Sequence, residues 1–444
     1  MATQNINQAR PKPRIVLAAC FGHAVEWFEF GVYGYLATVL GKLFFPSTDP
    51  STSVLSALAV FGVAFLARPL GAVIFGSLGD RFGRRAVLST TILLMGGATA
   101  GIGLLPTYES IGFFAPLLLI AFRLLQGLSA GGETSGAAAF LAESAPEGRR
   151  GLWTSSIQAV GIVAFVCAAS LVAFLTSVLG EEQLFAWGWR IPFLLSLPLA
   201  GVGLYLRFKV EETPAFQAAI AKEEDSHARV PVKELLGHHK KALLFLICIV
   251  MVEAVASYVA KTYASTYLIY TIGLSPSSAL LSTSVTLLLA AALVPCFAIL
   301  SDRIGRKPLL FGGTVGLMVA AIPAFLLIGS GSLAGAIAGQ IMAIVPGTAI
   351  SVAVVVAQAE LFPTRVRYSG AALGYNVSYA LFGGTAPYVA AFLVAASGLK
   401  LMPAFYLIVI AAIGLIAMCR IPETYKKDLV EAAPESMRIP AHAR

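Results

Sequence analysis

Charge is scarce in this chain. Only 12% of its 444 residues are Asp, Glu, Lys or Arg, against about 25% in a soluble domain. Hydrophobic residues supply 58% and the mean hydropathy is +0.82. An ordinary water-soluble fold is excluded and a polytopic membrane protein remains. Histidine is rarer still: four of the five, His227, His238, His239 and His442, lie outside the apolar runs. The five cysteines (Cys20, Cys167, Cys248, Cys296, Cys419) sit inside apolar runs with neither disulfide nor metal-ligand spacing, and read as small hydrophobes. No metal site is expected. No cleavable leader is visible, because the first apolar run is too long and lacks an A-x-A site. A nucleophile–base pair and a phosphate-binding loop are also missing. The chain is therefore read as no enzyme, with no cofactor.

A span needs about 20 apolar residues. By that rule twelve are expected, near 15–40, 55–78, 86–106, 112–140, 152–178, 188–207, 242–270, 278–300, 308–329, 333–357, 367–396 and 401–420. The net charge of +8 invites a nucleic-acid reading, but its distribution opposes one. Lys and Arg gather before span one, at Arg81/Arg84/Arg85, Arg149/Arg150, 207–241, Arg303/Arg306/Lys307, Arg365/Arg367 and 420–427. With twelve spans all of these fall on one side, and little beyond Lys42, Arg190 and Lys400 falls on the other. That is the positive-inside pattern, with both termini cytoplasmic. The expected division is a tail at 1–14, a six-helix bundle at 15–207, a linker at 208–241, a second bundle at 242–420 and a tail at 421–444.

One phrase occurs twice. Gly76-Ser-Leu-Gly-Asp80-Arg81-Phe-Gly83-Arg84-Arg85 returns as Leu300-Ser-Asp302-Arg303-Ile-Gly305-Arg306-Lys307, with the aspartates 222 positions apart. Ala142-Glu143-x-x-Pro146-x-x-Arg149-Arg150-Gly151 matches Ala359-Glu360-x-x-Pro363-x-Arg365-x-Arg367, and Glu212-Thr213 matches Glu423-Thr424. Three phrases in one order at offsets near 220 mean two equivalent halves, an architecture typical of solute transporters. Glycines permit a tight turn, and Asp80 or Asp302 can cap a helix or face a helix N-terminus across the halves. Arg84 and Arg85 can pair with Glu143, and Arg306 with Glu360. Gating is expected of Gly76, Asp80, Gly83, Arg84, Arg85, Glu143, Asp302, Arg306, Glu360 and Arg367.

A charge at mid-span costs about 2.5–3.5 kcal/mol or more, so each one needs a reason. Span one carries His23, Glu26 and Glu29 at three-residue steps, with Phe30 and Tyr33 on the same helical face. Span four carries Arg123 and Gln126, with Glu133 nearer the cytoplasm. Span seven carries Glu253, Ser257 and Lys261 at four-residue steps, and span eleven Tyr375, Asn376 and Tyr379. The expected arrangement is a water-filled central cavity. Solute would be held there by Glu26, Tyr33, Arg123, Gln126, Lys261 and Asn376. Glu29 is the first choice for the proton, followed by Glu26, Glu253 and Glu133. Glu253 and Lys261 lie about 12 Å apart along a helix, so each needs a partner elsewhere.

The loop phrase and its copy resemble the signature of the major facilitator superfamily. Glu26-Trp-Phe-Glu29-Phe-Gly-Val-Tyr33-Gly34, Phe65-Leu-Ala-Arg68-Pro69-Leu-Gly71, Arg123-Leu-Leu-Gln126-Gly127 with Gly131-Gly132-Glu133, Trp187-Gly-Trp189-Arg190-Ile-Pro192-Phe193, Glu212-Thr-Pro214-Ala-Phe216 and Glu360-Leu-Phe-Pro363 narrow it. Together they resemble the metabolite:proton symporter family, over roughly 15–424. The resemblance implies an all-α membrane protein of twelve transmembrane helices in two pseudo-symmetric six-helix bundles. It implies proton-driven import across the inner membrane by a protein read as monomeric, with Glu26, Arg123 and Glu133 in the pathway and the loop motifs as gates. The best-matching branch carries zwitterionic osmolytes such as proline and glycine betaine. The alternative is an organic acid such as oxoglutarate, citrate or shikimate. Four features depart from that branch: Glu29 in place of aspartate, Gln158 in place of an acid, the charges Glu253 and Lys261, and no coiled-coil heptads after Arg420.

Overall fold

A computed structural model describes residues 13–82, 84–131, 138, 141, 142, 145, 146, 148–209, 239–362 and 364–425. Among them every regular element is helical, as a bilayer requires of a chain that must satisfy its own backbone. The rods are α1 Pro13–Tyr35, continued by the short Ala37–Phe44, then α2 Pro50–Phe82, α3 Arg84–Leu104 and α4 Phe114–Ser129. There follow α5 Arg150–Gly188, α6 Arg190–Tyr205, α7 Lys240–Ile272, α8 Pro276–Ile304, α9 Arg306–Ile328, α10 Leu333–Glu360, α11 Ser369–Ser397 and α12 Met402–Arg420. Eight of these (α2, α5 and α7 to α12) are long and apolar enough to cross a membrane unaided. Shorter apolar helices lie in α3, α4 and α6, and α1 makes the twelfth rod.

The packing repeats with the sequence. In the first half α1 lies on α5 and α6, α2 on α4, and α3 on α4 and α6. In the second, α7 lies on α11 and α12, α8 on α10, and α9 on α10 and α12. Adding six to each label of the first set gives the second. The halves meet through α5 with α8, α2 with α11, and α1 with α7.

Small residues set the closest approach, as expected where lipid supplies no hydrophobic drive between helices. A Cβ at Gly127 would lie 1.8 Å from Ala64 O, and one at Gly71 would lie 1.9 Å from Leu128 O. Helices α2 and α4 therefore touch backbone to backbone. That contact brings Arg68 of α2 and Arg123 of α4 into one layer.

The two faces are distinct. Tyr267 Oη donates to Lys400 O (2.8 Å), Arg190 donates to Gly103 O and Leu105 O, and Lys42 lies over Phe185. The three isolated cations Lys42, Arg190 and Lys400 thus sit in or beside the connections between rods at one end, Lys42 in the short helix Ala37–Phe44 and Arg190 at the first residue of α6. Gly151, Asp302, Arg306, Glu360 and Glu423 meet at the other, the basic face.

Wide π-turns interrupt α7 at Val259–Tyr263 and Tyr267–Ile272, and α11 at Tyr379–Gly383. Such turns concentrate at functional sites. Here two of them border Tyr258 and Tyr379, which face the other half.

Candidate functional site

The polar groups of α1 do not act as one face. Glu26 accepts from Arg68 Nη2 of α2, both side chains about 1% exposed. Arg68 Nη2 also donates to Ala130 O (3.3 Å), while its Nε and Nη1 have no partner. Glu29, fully buried, turns instead to α3, where Thr99 Oγ1 donates to its Oε2 and its Oε1 has no partner. His23 Nδ1 accepts from Trp27 Nε1 (3.1 Å), so the neutral ring carries its proton on Nε2, which points at α5 beside Gly161 without a partner. Tyr33 Oη donates to Ala57 O (3.1 Å).

Arg123 donates to Gln126 Oε1 (2.9 Å) and Phe61 O (2.9 Å), and lies over the Tyr33 ring at 4.2 Å. A guanidinium only donates, so Gln126 must present its oxygen to Arg123 and its Nε2 to Thr99 Oγ1 (2.6 Å). A continuous chain results: Arg123, Gln126, Thr99, Glu29.

Between the halves the centre is aromatic. Trp27, Phe30, Phe61 and Phe65 from α1 and α2 meet Tyr258 and Tyr379 from α7 and α11. Centroids are 5.2 Å apart for Phe65–Tyr258, 5.7 Å for Phe61–Tyr258, and 6.2 and 6.1 Å from Trp27 to the two tyrosines. The Arg68 guanidinium carbon lies 5.4–5.7 Å from the rings of Phe65, Phe30 and Trp27. Tyr258 Oη is buried without a partner. Deeper in the second half Glu253 accepts from Tyr379 Oη (2.8 Å) and from Ser351 Oγ (2.8 Å), and Gln158 of α5 donates to that same Ser351.

This conformation corrects the expectation of a water-filled centre. The rings interdigitate across the halves and fill it. Two small cavities flank it instead, one inside each half. The first lies beside Glu29 among α1, α3, α4 and α6, and the second among α7, α8, α9, α10 and α12. The π-turn at Val259–Tyr263 interrupts the 3.6-residue period after Tyr258. Lys261 lies 5.7 Å from the Phe165 ring of α5 and remains within electrostatic reach of Glu253. Asn376 does not point at the rings either: its Nδ2 donates to Gly131 O in the other half (2.8 Å).

The basic face is closed by the repeated loop phrase. Asp302 accepts from Gly151 N (2.8 Å) and Leu152 N (3.1 Å), the first amides of α5. An aspartate of one half thus faces a helix N-terminus of the other, as its sequence position implied. A Cβ at Gly151 would stand 2.7 Å from Asp302 Oδ1, so glycine is required there. Arg306 bonds Asp302 (2.9 Å) and grips Glu360 with two nitrogens (3.0 and 3.2 Å). The Glu423-Thr424 phrase completes this face. Glu423 accepts from the amides of Arg306 and Lys307 (both 3.0 Å), and Thr424 Oγ1 donates to Glu360 (2.7 Å). Arg367 is buried in the helical turn that leads into α11. Glu133, Gly83 and Glu143, and the side chains of Gly76, Asp80, Arg84 and Arg85, lie outside the described residues.

A two-fold packing scheme, an aromatic layer between halves and a shared loop lock are the parts of an alternating-access carrier. The sequence profile "Sugar (and other) transporter" matches residues 15–230 and 218–435. The chain belongs to this transporter family. Among its relatives, the glycine betaine/proline/ectoine/pipecolic acid transporter OusA of Dickeya dadantii is 41% identical over 428 residues, 95% of this chain and 85% of the relative. The proline/betaine transporter of Salmonella typhimurium is 41% identical over 433 residues, 96% of this chain and 86% of the relative. Among solved structures, the major facilitator superfamily proton:xylose symporter XylE bound to 6-bromo-6-deoxy-D-glucose superposes with a TM-score of 0.76. It covers 94% of this chain and 98% of its own at 20% identity, a likeness of fold.

Two residues of this transporter's centre escape sequence reasoning. Arg68 stands in the quoted phrase Phe65–Gly71, but its acid partner is 42 positions away and no spacing reveals the pair. Thr99 is one of several threonines in α3. The available signal for Arg68 was its position: an arginine deep inside an apolar run, before Pro69, needs a partner on another helix.

Proposed function

We propose that this transporter is a proton-coupled importer of a small zwitterion of the proline and betaine type. The relatives' names supply the solute class. The observation that carries the reading to this chain is Arg68, a buried guanidinium with Nε and Nη1 unfilled, set among the rings that join the halves. Each unfilled guanidinium N–H suits a carboxylate oxygen. Aromatic faces suit an alkylated ammonium. Both ends of a betaine or proline are matched within one layer once the rings part. An organic acid is served less well: Arg123 uses Nη1 and Nη2 on Gln126 and Phe61 and keeps only Nε unfilled, and Lys261 lies over the Phe165 ring of α5.

In this reading Glu29 carries the coupled proton, and Glu26 orients Arg68. Glu253 receives the substrate's influence through Tyr379, and Glu133 serves the cytoplasmic side of the path. The bundles 15–207 and 242–420 rock about the ring layer. The linker 208–241 and the tails lie in the cytoplasm, and the basic face is the cytoplasmic face of the inner membrane. Gly76, Asp80, Gly83, Arg84, Arg85, Glu143 and Arg367 act as gating residues, together with Asp302, Arg306 and Glu360. The carrier works as a monomer, on solute and protons alone.

The deciding measurement is thermal stabilisation of the purified protein by proline, glycine betaine and ectoine against oxoglutarate, citrate and shikimate. A ligand that binds the folded state raises its stability by RT ln(1 + [L]/Kd). A shift with the zwitterions alone supports the reading. A shift with the acids alone replaces it with an organic-acid symporter.

A further inference from the structure

We infer that Thr99 is a positioning residue that passes the protonation state of Glu29 to Arg123. The inference rests on the reading of Glu29 as the coupling acid. Three groups crowd the Thr99 hydroxyl: Gln126 Nε2 at 2.6 Å, Met95 O at 2.8 Å and Glu29 Oε2. The amide nitrogen of Gln126 can only donate, as shown above. The hydroxyl has one proton to give, and two acceptors compete for it. When Glu29 is protonated, its own O–H donates to Thr99 Oγ1 and the hydroxyl turns to Met95 O. When Glu29 loses that proton, the hydroxyl turns to the carboxylate. Every proton is accounted for in both states. Gln126 stays bound throughout and passes the change to the guanidinium it holds.

Arg123 can act on what it receives. Its second contact is Phe61 O on α2, and the next residue, Gly62, packs against Gly384 O of α11, 3.0 Å from where a Cβ would stand. Gly62–Gly384 is a contact between halves within the ring layer, where a Cβ at Gly384 would also meet Phe65 at 2.6 Å. Among the described residues, the charged groups acting on Glu29 are Glu26 and Arg123. From α6, Leu199, Ala200 and Gly203 line the cavity beside it. A carboxylate at Glu29 therefore attracts Arg123, which holds the α2 backbone next to a contact with α11.

The departing proton also has a place to go. Glu29 lines the small cavity of the first half, and its Oε1 has no partner. Gly22 lies in the same wall, seven residues or about 10 Å nearer the start of α1, together with Thr91 near the start of α3 and Ser129 at the end of α4. These residues run toward the basic face inside the first bundle, apart from the ring layer.

The test uses the full-length protein in proteoliposomes. Solute accumulation under an imposed proton gradient is compared with solute counterflow, for Thr99→Val, Thr99→Ser and Glu29→Gln. Thr99→Val keeps size and removes the hydroxyl. The accumulation ratio is expected to fall about tenfold relative to counterflow, the weight of one hydrogen bond to a charged group, and Thr99→Ser is expected to restore it. Full accumulation by Thr99→Val overturns the inference, as does an equal defect in Thr99→Ser, which would assign the loss to packing. Should Thr99→Val fail to fold, Gln126→Met severs the same chain and is read in the same way. Glu29→Gln separates the two claims. If it accumulates solute, the coupling role of Glu29 fails. If it does not while Thr99→Val is normal, only the Thr99 relay fails.

Discussion

Asp302→Asn should unlock the basic face while leaving the solute seat intact. In the wild type one carboxylate holds the amides of Gly151 and Leu152 at 2.8 and 3.1 Å and lies within 2.9 Å of Arg306. The asparagine keeps one acceptor oxygen, so one of the two amides loses its partner. A hydrogen bond to a charged group contributes about 1.5–3 kcal/mol, and the charge itself adds about 0.3–1 kcal/mol at a helix N-terminus. The loss is then about 2–3 kcal/mol, which is a 30- to 150-fold shift in the opening equilibrium at 1.4 kcal/mol per decade. Hydrogen exchange followed by mass spectrometry checks this directly, because amide exchange in the native state measures local opening. The peptide containing Gly151 and Leu152 should exchange faster by that factor. A peptide around Ser51, on the opposite face, should not. Zwitterion affinity should stay within about twofold, since no ring or Arg68 contact changes. Unchanged exchange at Gly151 and Leu152 in a folded variant would refute the lock.

Gly151→Ala should reproduce that exchange pattern with Asp302 intact, because its Cβ would meet Oδ1 at 2.7 Å and Ala298 O at 2.9 Å; normal exchange and turnover would show that the loop yields freely. Arg68→Lys keeps the charge and loses the planar guanidinium with its unfilled donors, so affinity for the zwitterion in the thermal-shift assay should fall about 10- to 100-fold. An unchanged Kd removes Arg68 from the seat. Lys261→Leu should leave the KM for solute within about twofold, because Lys261 lies against Phe165; a tenfold rise would place a substrate carboxylate at Lys261 after all. Trp27→Leu should weaken glycine betaine more than proline in the same assay, by about 1 kcal/mol or fivefold, and equal losses would argue against a cation-on-ring contact.

The helices, their pairing into halves and the basic face were legible because each rests on a pattern that repeats in sequence. Asp302 opposite an N-terminus is the best instance: an aspartate beside glycine and arginine between two apolar runs has few other uses. Glu423-Thr424 was legible as a repeat, but not as the cap of α9, since its partners lie 116 and 117 positions upstream. The centre was less legible, for a physical reason. Periodicity places residues on a face of an ideal helix, and the π-turn at Val259–Tyr263 departs from that period at Lys261. Polar residues in a span announce that they have partners without saying whether the partner is solute or protein. Gln126, Asn376 and Glu253 all found protein partners, whereas Arg68 retains unfilled donors.

The two ends of the molecule are held by different chemistry, and this sets a direction. Among the described residues, the basic face is tied across the halves by a carboxylate on two helix-end amides, itself braced by Arg306, Glu360 and the Glu423 cap. The opposite face is tied, among the described residues, by the neutral Ser51–Tyr270 hydroxyl pair at 3.0 Å. A neutral bond contributes about 0.5–1.5 kcal/mol and each bond to a charge about 1.5–3. When the ring layer parts without solute, the face that yields first is therefore the one without charge, the entrance side for an importer. Opening the basic face needs a further input of about 2–4 kcal/mol, close to the difference between those two ties. In the proposed reading, a carboxylate bound on Arg68 draws on the same layer that Glu26, Ala130 and α4 share, and proton loss at Glu29 acts on Arg123 in that layer. Solute and proton thus work against one lock from one plane, which is what obligatory coupling requires of two ligands that never touch.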